Sequence, residues 1–383
     1  MNIAFDAKRA FTNGTGLGHY SRTLISSLAQ YFPEHQYLLF TPKITNLFDV
    51  TGLNNVQVKQ PKSFPSTLLR SAWRSSWVKS DLKKEGVNLY HGLSHEIPMG
   101  IEKPGIKTVV TIHDLIFERY PDQYKPVDVQ IYRRKFKYAC QNADRIIAIS
   151  QQTRRDIMEL YGTPEEKISI CYQSCNEAFA HQVTEEEKER IRNVYNLPPR
   201  FFLYVGSIIE RKNLLTICKA LARIKQERIP LVVIGTGDYY MNRVKQYVRD
   251  NFLENLVIFL SDQPTTKNLP SFRNAADFPA IYQQALCMIY PSIYEGFGIP
   301  VLEALWSKLP VITSNLSCLP ETGGDAALYV DPGSVDEMAD AMLKIVRHQS
   351  VREEMINKGV LHAAHFTRRA CAAKVMEVYQ PLF

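Results

Sequence analysis

Short apolar runs rich in β-branched and aromatic residues recur along the whole chain, separated by stretches in which apolar positions return every three or four residues. In the first half the runs are Ile3-Ala4-Phe5, Tyr37-Leu38-Leu39-Phe40, Val56-Gln57-Val58, Val109-Val110-Thr111-Ile112 and Arg145-Ile146-Ile147-Ala148-Ile149. The second half opens with Phe201-Phe202-Leu203-Tyr204-Val205 and continues with Leu231-Val232-Val233-Ile234, Leu256-Val257-Ile258-Phe259-Leu260, Cys287-Met288-Ile289-Tyr290, Val311-Ile312-Thr313 and Ala327-Leu328-Tyr329-Val330. Apolar strands alternating with helices predict parallel sheets with both faces covered. The alternation pauses from Tyr172 to Pro199, which contains the charged run Thr184-Glu185-Glu186-Glu187-Lys188-Glu189-Arg190. The expected plan is therefore a first α/β domain over 1–180, a linker over 181–199, a second α/β domain over 200–366 and a last helix in 367–383. Ser334 followed by Glu337 predicts a capping box for a helix over 335–348, and 368–380 has helical periodicity.

Length supports two domains, since 383 residues exceed one ordinary core and suit two of roughly 180. Apolar residues at 45% and charged residues at 22% fit neither disorder nor a membrane-spanning class. No basic-then-apolar leader opens the chain, and no apolar run approaches the ~18 residues of a spanning helix, so a cytoplasmic location is expected. Seven scattered cysteines read as reduced, buried thiols. Cys171 and Cys175 lack the further ligands of a zinc set.

In open α/β sheets ligands bind beyond the carboxyl ends of strands, so the turns there carry the chemistry. After the run ending at Tyr290 comes Pro291-Ser292-Ile293-Tyr294-Glu295-Gly296-Phe297-Gly298-Ile299-Pro300-Val301-Leu302-Glu303. Its glycines bare backbone N–H groups at a helix start, suited to oxygen ligands, and Glu295 and Glu303 can accept hydrogen bonds from hydroxyls. A glycine-rich turn with two solvated acids is the bland alternative. After Val205, the turn Gly206-Ser207-Ile208-Ile209-Glu210-Arg211-Lys212-Asn213 sets two cations at the start of a helix expected over 214–226, where only an anion makes them favourable. In the first half, Asn13-Gly14-Thr15-Gly16-Leu17-Gly18-His19-Tyr20 opens a helix, and His113-Asp114 ends a strand. The glycine string lacks the spacing and later acid of a dinucleotide fingerprint. His91 and His95 stand four apart in what reads as loop. No Asp-x-Asp occurs, so no carboxylate grip on a divalent ion is expected: metal none, cofactors none.

Together these motifs resemble the retaining glycosyltransferases of family 4, which have the GT-B fold of two doubly wound Rossmann-like domains facing across a crevice. The likeness covers nearly the whole chain. Its most specific element is Glu295, seven residues, then Glu303. Glu210-Arg211-Lys212-Asn213, Gly14-Thr15-Gly16-Leu17-Gly18, Thr111-Ile112-His113-Asp114 and Ala148-Ile149-Ser150-Gln151-Gln152-Thr153 join it in the family's order. The resemblance implies that Glu303 binds the donor ribose, and that Glu295 with the backbone of Gly296, Phe297, Gly298 and Ile299 holds the sugar. It further implies that Arg211 and Lys212 neutralise the diphosphate, that Gly14, Gly16 and Gly18 close over the phosphates, and that His113 touches the transferred sugar. Ser207 stands where many members have Arg. The last helix would pack back on the first domain. Retention in the family is generally explained by front-face attack, with the leaving phosphate taking the acceptor proton. Alanine at Arg211 and Lys212 should then cut turnover and leave the fold intact.

The overall likeness is to bacterial polysaccharide mannosyltransferases, which makes GDP-mannose the leading donor, with UDP-glucose and UDP-N-acetylhexosamines open. The acceptor expected is a glycan or lipid-linked sugar in cell-surface polysaccharide synthesis. The formal charge of +7 falls almost wholly in residues 1–180, with 23 Lys and Arg against 17 Asp and Glu, so an anionic or membrane-borne acceptor fits. Trp73 and Trp77, with Arg70 and Arg74, have the spacing of an interfacial helix, and Arg133, Arg134, Lys135 and Lys137 add a basic cluster that suits the inner face of an anionic membrane. Trp at helical spacing is as readily core. A nucleotide-sugar epimerase, or a nucleic-acid-binding protein using the basic half, are the readings from other classes. The second lacks a recognition module, and no nucleic-acid partner is expected.

Overall fold

A computed structural model describes residues 1–62, 67–103 and 105–383. The chain divides into two compact units, one of residues 1–175 with 366–383, the other of residues 176–365.

The first unit holds seven parallel strands: β1 (Asn2–Asp6), β2 (Gln36–Phe40), β3 (Val56–Lys59), β4 (Leu89–Gly92), β5 (Lys107–Ile112), β6 (Arg145–Ala148) and β7 (Ile168–Ile170). Their order is β3-β2-β1-β4-β5-β6-β7. The sheet thus grows outward from β1 to one side and from β4 to the other, and β1 pairs with both β2 and β4, Phe5 lying opposite Leu39 and His91. Each strand is apolar on both faces because each face is covered. One face packs Ala4, Tyr90 and Val110 against Trp73, Leu82 and Phe136. The other packs Ile3, Phe5, Leu39 and Val109 against the helix Gly16–Tyr31 and against Ala372, Val375, Met376 and Tyr379 of the final helix Arg368–Tyr379.

The second unit repeats the plan with six parallel strands: β8 (Phe202–Val205), β9 (Leu231–Ile234), β10 (Val257–Phe259), β11 (Cys287–Tyr290), β12 (Val311–Ser314) and β13 (Ala327–Val330). Their order is β10-β9-β8-β11-β12-β13. Its core joins Phe202, Val233 and Ile289 to the inner faces of the helices Leu214–Arg223, Tyr239–Asp250 and Val335–Arg347. Ser334 is the N-cap, Glu337 N donating to its Oγ at 3.1 Å, but the box does not close: Glu337 Oε2 accepts from Asp331 N at 2.8 Å, and Ser334 N donates to the Asp331 carbonyl at 2.9 Å.

Several expectations need correction. The 181–199 segment is not a linker: Glu185–Tyr195 is a helix inside the second unit, started by Glu187 N donating to Thr184 Oγ1. Its negative first turn suits the positive helix end, which explains why a charged run folds. Residues 89–92, read as loop, form β4 at the centre of the first sheet, and His91 is wholly buried there. The interfacial-helix reading of 69–79 also fails. Trp73 is core, its Nε1 donating to Asp81 Oδ2 at 2.7 Å, and Arg74 is folded inward onto carboxylates, while Trp77 is exposed. In the basic cluster Arg133 pairs with Glu118 and Lys135 with Glu96. Among the described residues no helix is long and apolar enough to cross a membrane, and six of the seven cysteines are buried.

Candidate active site

In the second unit the turns after β8 and β11 meet, because these strands are neighbours at the point where the strand order reverses. The chain leaves β11 through Pro291–Phe297 and enters the helix Ile299–Trp306 at Gly298, which adopts φ +97°. A Cβ there would lie 2.8 Å from Leu319 Cδ2, so only glycine makes this turn without strain. Pro300 has no N–H to spend, and the N–H groups of Gly296, Gly298 and Ile299 have no acceptor among the described residues. They form an oxygen-binding edge at a positive helix end. Phe297 points inward, and its carbonyl accepts from Thr322 Oγ1.

Glu295 is fixed through one oxygen. Its Oε1 lies 2.8 Å from Arg211 Nη1 and accepts from Ser292 Oγ at 2.8 Å and Tyr290 Oη at 2.9 Å, with Lys212 Nζ 3.8 Å away. Its backbone N donates to Ser317 Oγ at 3.1 Å. Burial pushes the carboxyl up, but the Lys212 and Arg211 cations and the two hydroxyl donors outweigh it and hold it below its ordinary value. Glu295 is therefore an anion with Oε1 saturated, while Oε2 takes no hydrogen bond from the described residues.

Arg211 and Lys212 are not equivalent. Arg211 is buried, and Nη1 also donates to the Tyr294 carbonyl. It ties the β8 turn to the β11 turn, assisted by Ile293 N donating to Arg211 O at 2.8 Å. Lys212 Nζ donates to Tyr290 Oη at 2.9 Å and sits over the same ring. The two lie in a single 3-10 turn, Glu210–Lys212, ahead of the helix Leu214–Arg223. Ser207 is exposed beside them, its carbonyl held by Tyr204 Oη at 3.0 Å.

Glu303 lies one turn inside the helix, partly buried, with Oε2 accepting from Tyr282 Oη at 2.9 Å. Burial raises its carboxyl to about 7, against the Tyr282 hydrogen bond and Lys212. The second unit thus gathers Ser207, Arg211, Lys212, Glu295, the Gly296–Ile299 backbone and Glu303 at one edge of one sheet.

The first unit carries the remaining expected residues. Between β1 and the glycine string stands an unexpected short helix, Lys8–Thr12, and the next helix begins at Gly16. Gly14 and Gly16 face open space, whereas a Cβ on Gly18 would sit 1.8 Å from the Asn13 carbonyl. His113 follows β5 and is 5% exposed. Its Nε2 lies 2.9 Å from the Leu93 carbonyl. A carbonyl can only accept, so Nε2 carries the proton and Nδ1 is left as an acceptor. Burial lowers its pKa to about 4, so the ring is neutral near pH 7. The Tyr20 ring meets it edge-on at 4.6 Å and His95 at 5.1 Å. The Ala148–Thr153 motif holds the backbone together here, since Ser150 caps the helix Gln151–Tyr161 and Thr153 Oγ1 donates to the His113 carbonyl at 3.1 Å.

Sequence reasoning missed Tyr290, Ser292, Tyr282 and Ser317, whose hydroxyls orient the two acids. Tyr290 was findable, as the last residue of the strand that feeds the motif. Behind His113 lies an unforeseen buried chain: Tyr379 Oη to His91 Nδ1 (2.6 Å), His91 Nε2 to Thr111 Oγ1 (2.8 Å) and Thr111 Oγ1 to Tyr20 Oη (3.0 Å).

Residues 14–178 match the family described as Glycosyltransferase Family 4, and residues 185–361 match that described as Glycosyl transferases group 1. The chain belongs to the GT-B glycosyltransferases. This hexosyltransferase is 26% identical over 398 residues to the O-antigen chain mannosyltransferase B of Escherichia coli, with both chains covered in full. It is 29% identical over 236 residues to the O-antigen chain mannosyltransferase RfbU of Salmonella typhimurium, covering 62% of this chain and 60% of that protein. The fold of the glycosyltransferase recurs in a sucrose-phosphate synthase from Thermosynechococcus elongatus, with a TM-score of 0.77, 20% identity and coverage of 100% and 99%. It recurs also in a glycosyltransferase from Rickettsia africae, with a TM-score of 0.74, 19% identity and coverage of 100% and 98%.

Proposed function

We propose that this glycosyltransferase moves mannose from GDP-mannose to a glycan or lipid-linked acceptor during cell-surface polysaccharide synthesis, with retention at the anomeric carbon. The observation that carries the reading is the full-length similarity to an O-antigen chain mannosyltransferase, joined to the arrangement of acids, cation and free amides at the edge of the second sheet. A membrane-borne acceptor would bring the enzyme to the inner face of the membrane as a peripheral protein.

In this reading Glu303 takes the ribose hydroxyls and the free Oε2 of Glu295 takes a sugar hydroxyl. The diphosphate gains charge as the glycosidic bond breaks, so donors aimed at it stabilise the transition state more than the ground state. Those donors are Lys212 Nζ and the amides of Gly296, Gly298 and Ile299. Arg211 acts one step back, holding Glu295. No metal is assigned a part. The open sides of Gly14 and Gly16 leave room for phosphate oxygens, and neutral His113 offers Nδ1 as a hydrogen-bond acceptor for the sugar. The leaving phosphate itself accepts the acceptor's proton, and none of these side chains serves as a nucleophile.

The test is a thermal-shift screen against GDP, UDP, ADP and their sugars, followed by transfer from labelled GDP-mannose. A ligand that prefers the folded state raises the melting temperature, by about 2.7 kcal/mol of stability at a hundred times Kd. GDP and GDP-mannose should stabilise and the UDP series should not. Stabilisation by UDP-sugars alone would move the donor assignment to glucose or N-acetylhexosamine. No stabilisation by any nucleotide sugar would remove the reading altogether.

A further inference from the structure

The turn that leaves β4 is so tight that a Cβ on Gly92 would lie 2.0 Å from the Glu96 carbonyl. His95 stands inside it with a left-handed backbone, φ +67°, a conformation uncommon outside glycine that histidine adopts more often than most residues. Strain of this kind persists only where the surroundings impose it, and it gathers at sites that bind or react. Here the surroundings are β5 and its exit. His95 N donates to the Thr111 carbonyl at 2.9 Å, and His95 Nδ1 accepts from His113 N at 3.3 Å. The ring lies flat on Phe136, centroids 4.3 Å apart and planes 8° from parallel.

These contacts fix the protons. A backbone N–H only donates, so His95 Nδ1 is bare and Nε2 carries the hydrogen. Burial, with His113 and Arg9 nearby, holds the ring well below its ordinary pKa, so it is neutral. Its Nε2–H meets no acceptor among the described residues, although His95 is only 9% exposed. A donor withdrawn from water and left unmet costs stability, and the stack and the amide together set its direction. The His113 ring, 5.1 Å away, presents the converse: Nε2–H is spent on the Leu93 carbonyl and Nδ1 is a bare acceptor. Hydroxyls accept from the one and donate to the other. A phosphodiester oxygen, acceptor only, would satisfy His95 and leave His113 unanswered.

We propose that His95 is a specificity residue of the transfer reaction: its Nε2–H, with Nδ1 of His113, holds hydroxyls of the hexose being transferred. The proposal rests on the reading of the chain as a hexosyltransferase in which His113 meets the sugar, and adds to it a residue that neither spacing nor resemblance assigned.

The experiment is calorimetric titration of the full chain with GDP, GDP-mannose, UDP and UDP-glucose, on the wild type, His95→Asn and His95→Gln. The quantity read is the affinity for each sugar nucleotide divided by that for its nucleoside diphosphate. Asparagine tolerates the left-handed backbone, and its Oδ1 can keep the bond from His113 N, so His95→Asn deletes the Nε2–H alone. Glutamine returns an amide N–H to that place. The ratio should fall about tenfold, or about 1.4 kcal/mol, in His95→Asn and be largely restored in His95→Gln, with affinity for the bare diphosphate unchanged in both. A second measurement needs no variant: in NMR spectra of the wild type, the imidazole N–H signal of His95 should shift on adding the sugar nucleotide and stay in place on adding the diphosphate. An unchanged ratio in His95→Asn, an equal loss for the bare diphosphate, or a His95 signal indifferent to the sugar would overturn the proposal. A ratio that falls in the UDP series alone keeps the His95 contact and removes GDP-mannose as donor. Binding of the GDP pair with a ratio indifferent to His95 keeps the donor and removes the contact, and no binding by either pair removes both.

Discussion

Tyr282 Oη donates to Glu303 Oε2 at 2.9 Å, and burial raises that carboxyl to about 7, well above its ordinary 4.5. A group whose folded pKa is raised stabilises the fold fully below its unfolded value, and the contribution is lost as pH rises through the folded one. For Glu303 that window runs from about 4.5 to 7. The ligand-free Glu303→Gln variant should therefore gain in melting temperature relative to the wild type between pH 5 and pH 8. Nucleotide affinity should move the opposite way in the wild type, rising over the same range as the carboxylate forms, and the variant should bind at least about tenfold more weakly, since hydrogen bonds to charged groups contribute ~1.5–3 kcal/mol. A flat pH profile for both quantities would argue against the proposed ribose contact.

Arg211 and Lys212 should separate cleanly. Removing one partner of a buried pair costs roughly 3–5 kcal/mol, so Arg211→Ala should lower the melting temperature markedly. The expectation that alanine leaves the fold intact at both positions is corrected by the Arg211–Glu295 pair. Lys212→Ala should leave the melting temperature nearly unchanged and cut kcat by about 10²–10³, the cost of losing one preorganised donor. Circular dichroism melts with steady-state kinetics on both variants check this, and near-normal turnover in Lys212→Ala would rule out its phosphate role.

The glycine string offers a third check. Gly14→Ala and Gly16→Ala place the new methyl in open space and should leave stability unchanged while weakening nucleotide-sugar turnover. Gly18→Ala runs into the Asn13 carbonyl and should destabilise the first unit. Equal losses of stability at all three positions would make the string structural alone.

Tyr379→Phe removes the partner of His91 Nδ1 in a fully buried setting. Leaving such a group unsatisfied costs about 1–3 kcal/mol, and urea denaturation should show a loss of that order. Unchanged stability would mean that water replaces the hydroxyl.

Much of the architecture was readable because β-branched runs buried on both faces have few other uses. Arg368–Tyr379 and Val335–Arg347 fall within a residue or so of where periodicity and a cap put them. β4 was not readable: Leu89-Tyr90-His91-Gly92 contains a histidine and a glycine, and His91 is tolerated in a central strand only because Tyr379 and Thr111, distant in sequence, satisfy both ring nitrogens. The same limit applied to the acids. Spacing exposed Glu295 and Glu303, but the pairing with Lys212, Arg211 and Tyr290 that keeps one an anion, and the burial that lifts the other toward neutrality against its Tyr282 hydrogen bond, depend on residues that no local pattern joins. Arg74 illustrates the opposite error, since helical spacing read it as surface and its inward ion pairs depend on residues 68 and 22 positions away.

The final helix completes the core of the unit in which the chain begins, and residues 176–365 intervene. A ribosome moving along the message therefore releases the second sheet with all its strands before the first sheet has its last covering layer. Until residues 366–383 emerge, Phe5, Leu39 and Val109 lack part of their apolar cover, and a nascent chain stalled late in synthesis would present that surface to chaperones. Trimming the tail would accordingly injure the half of the enzyme farthest from it in sequence.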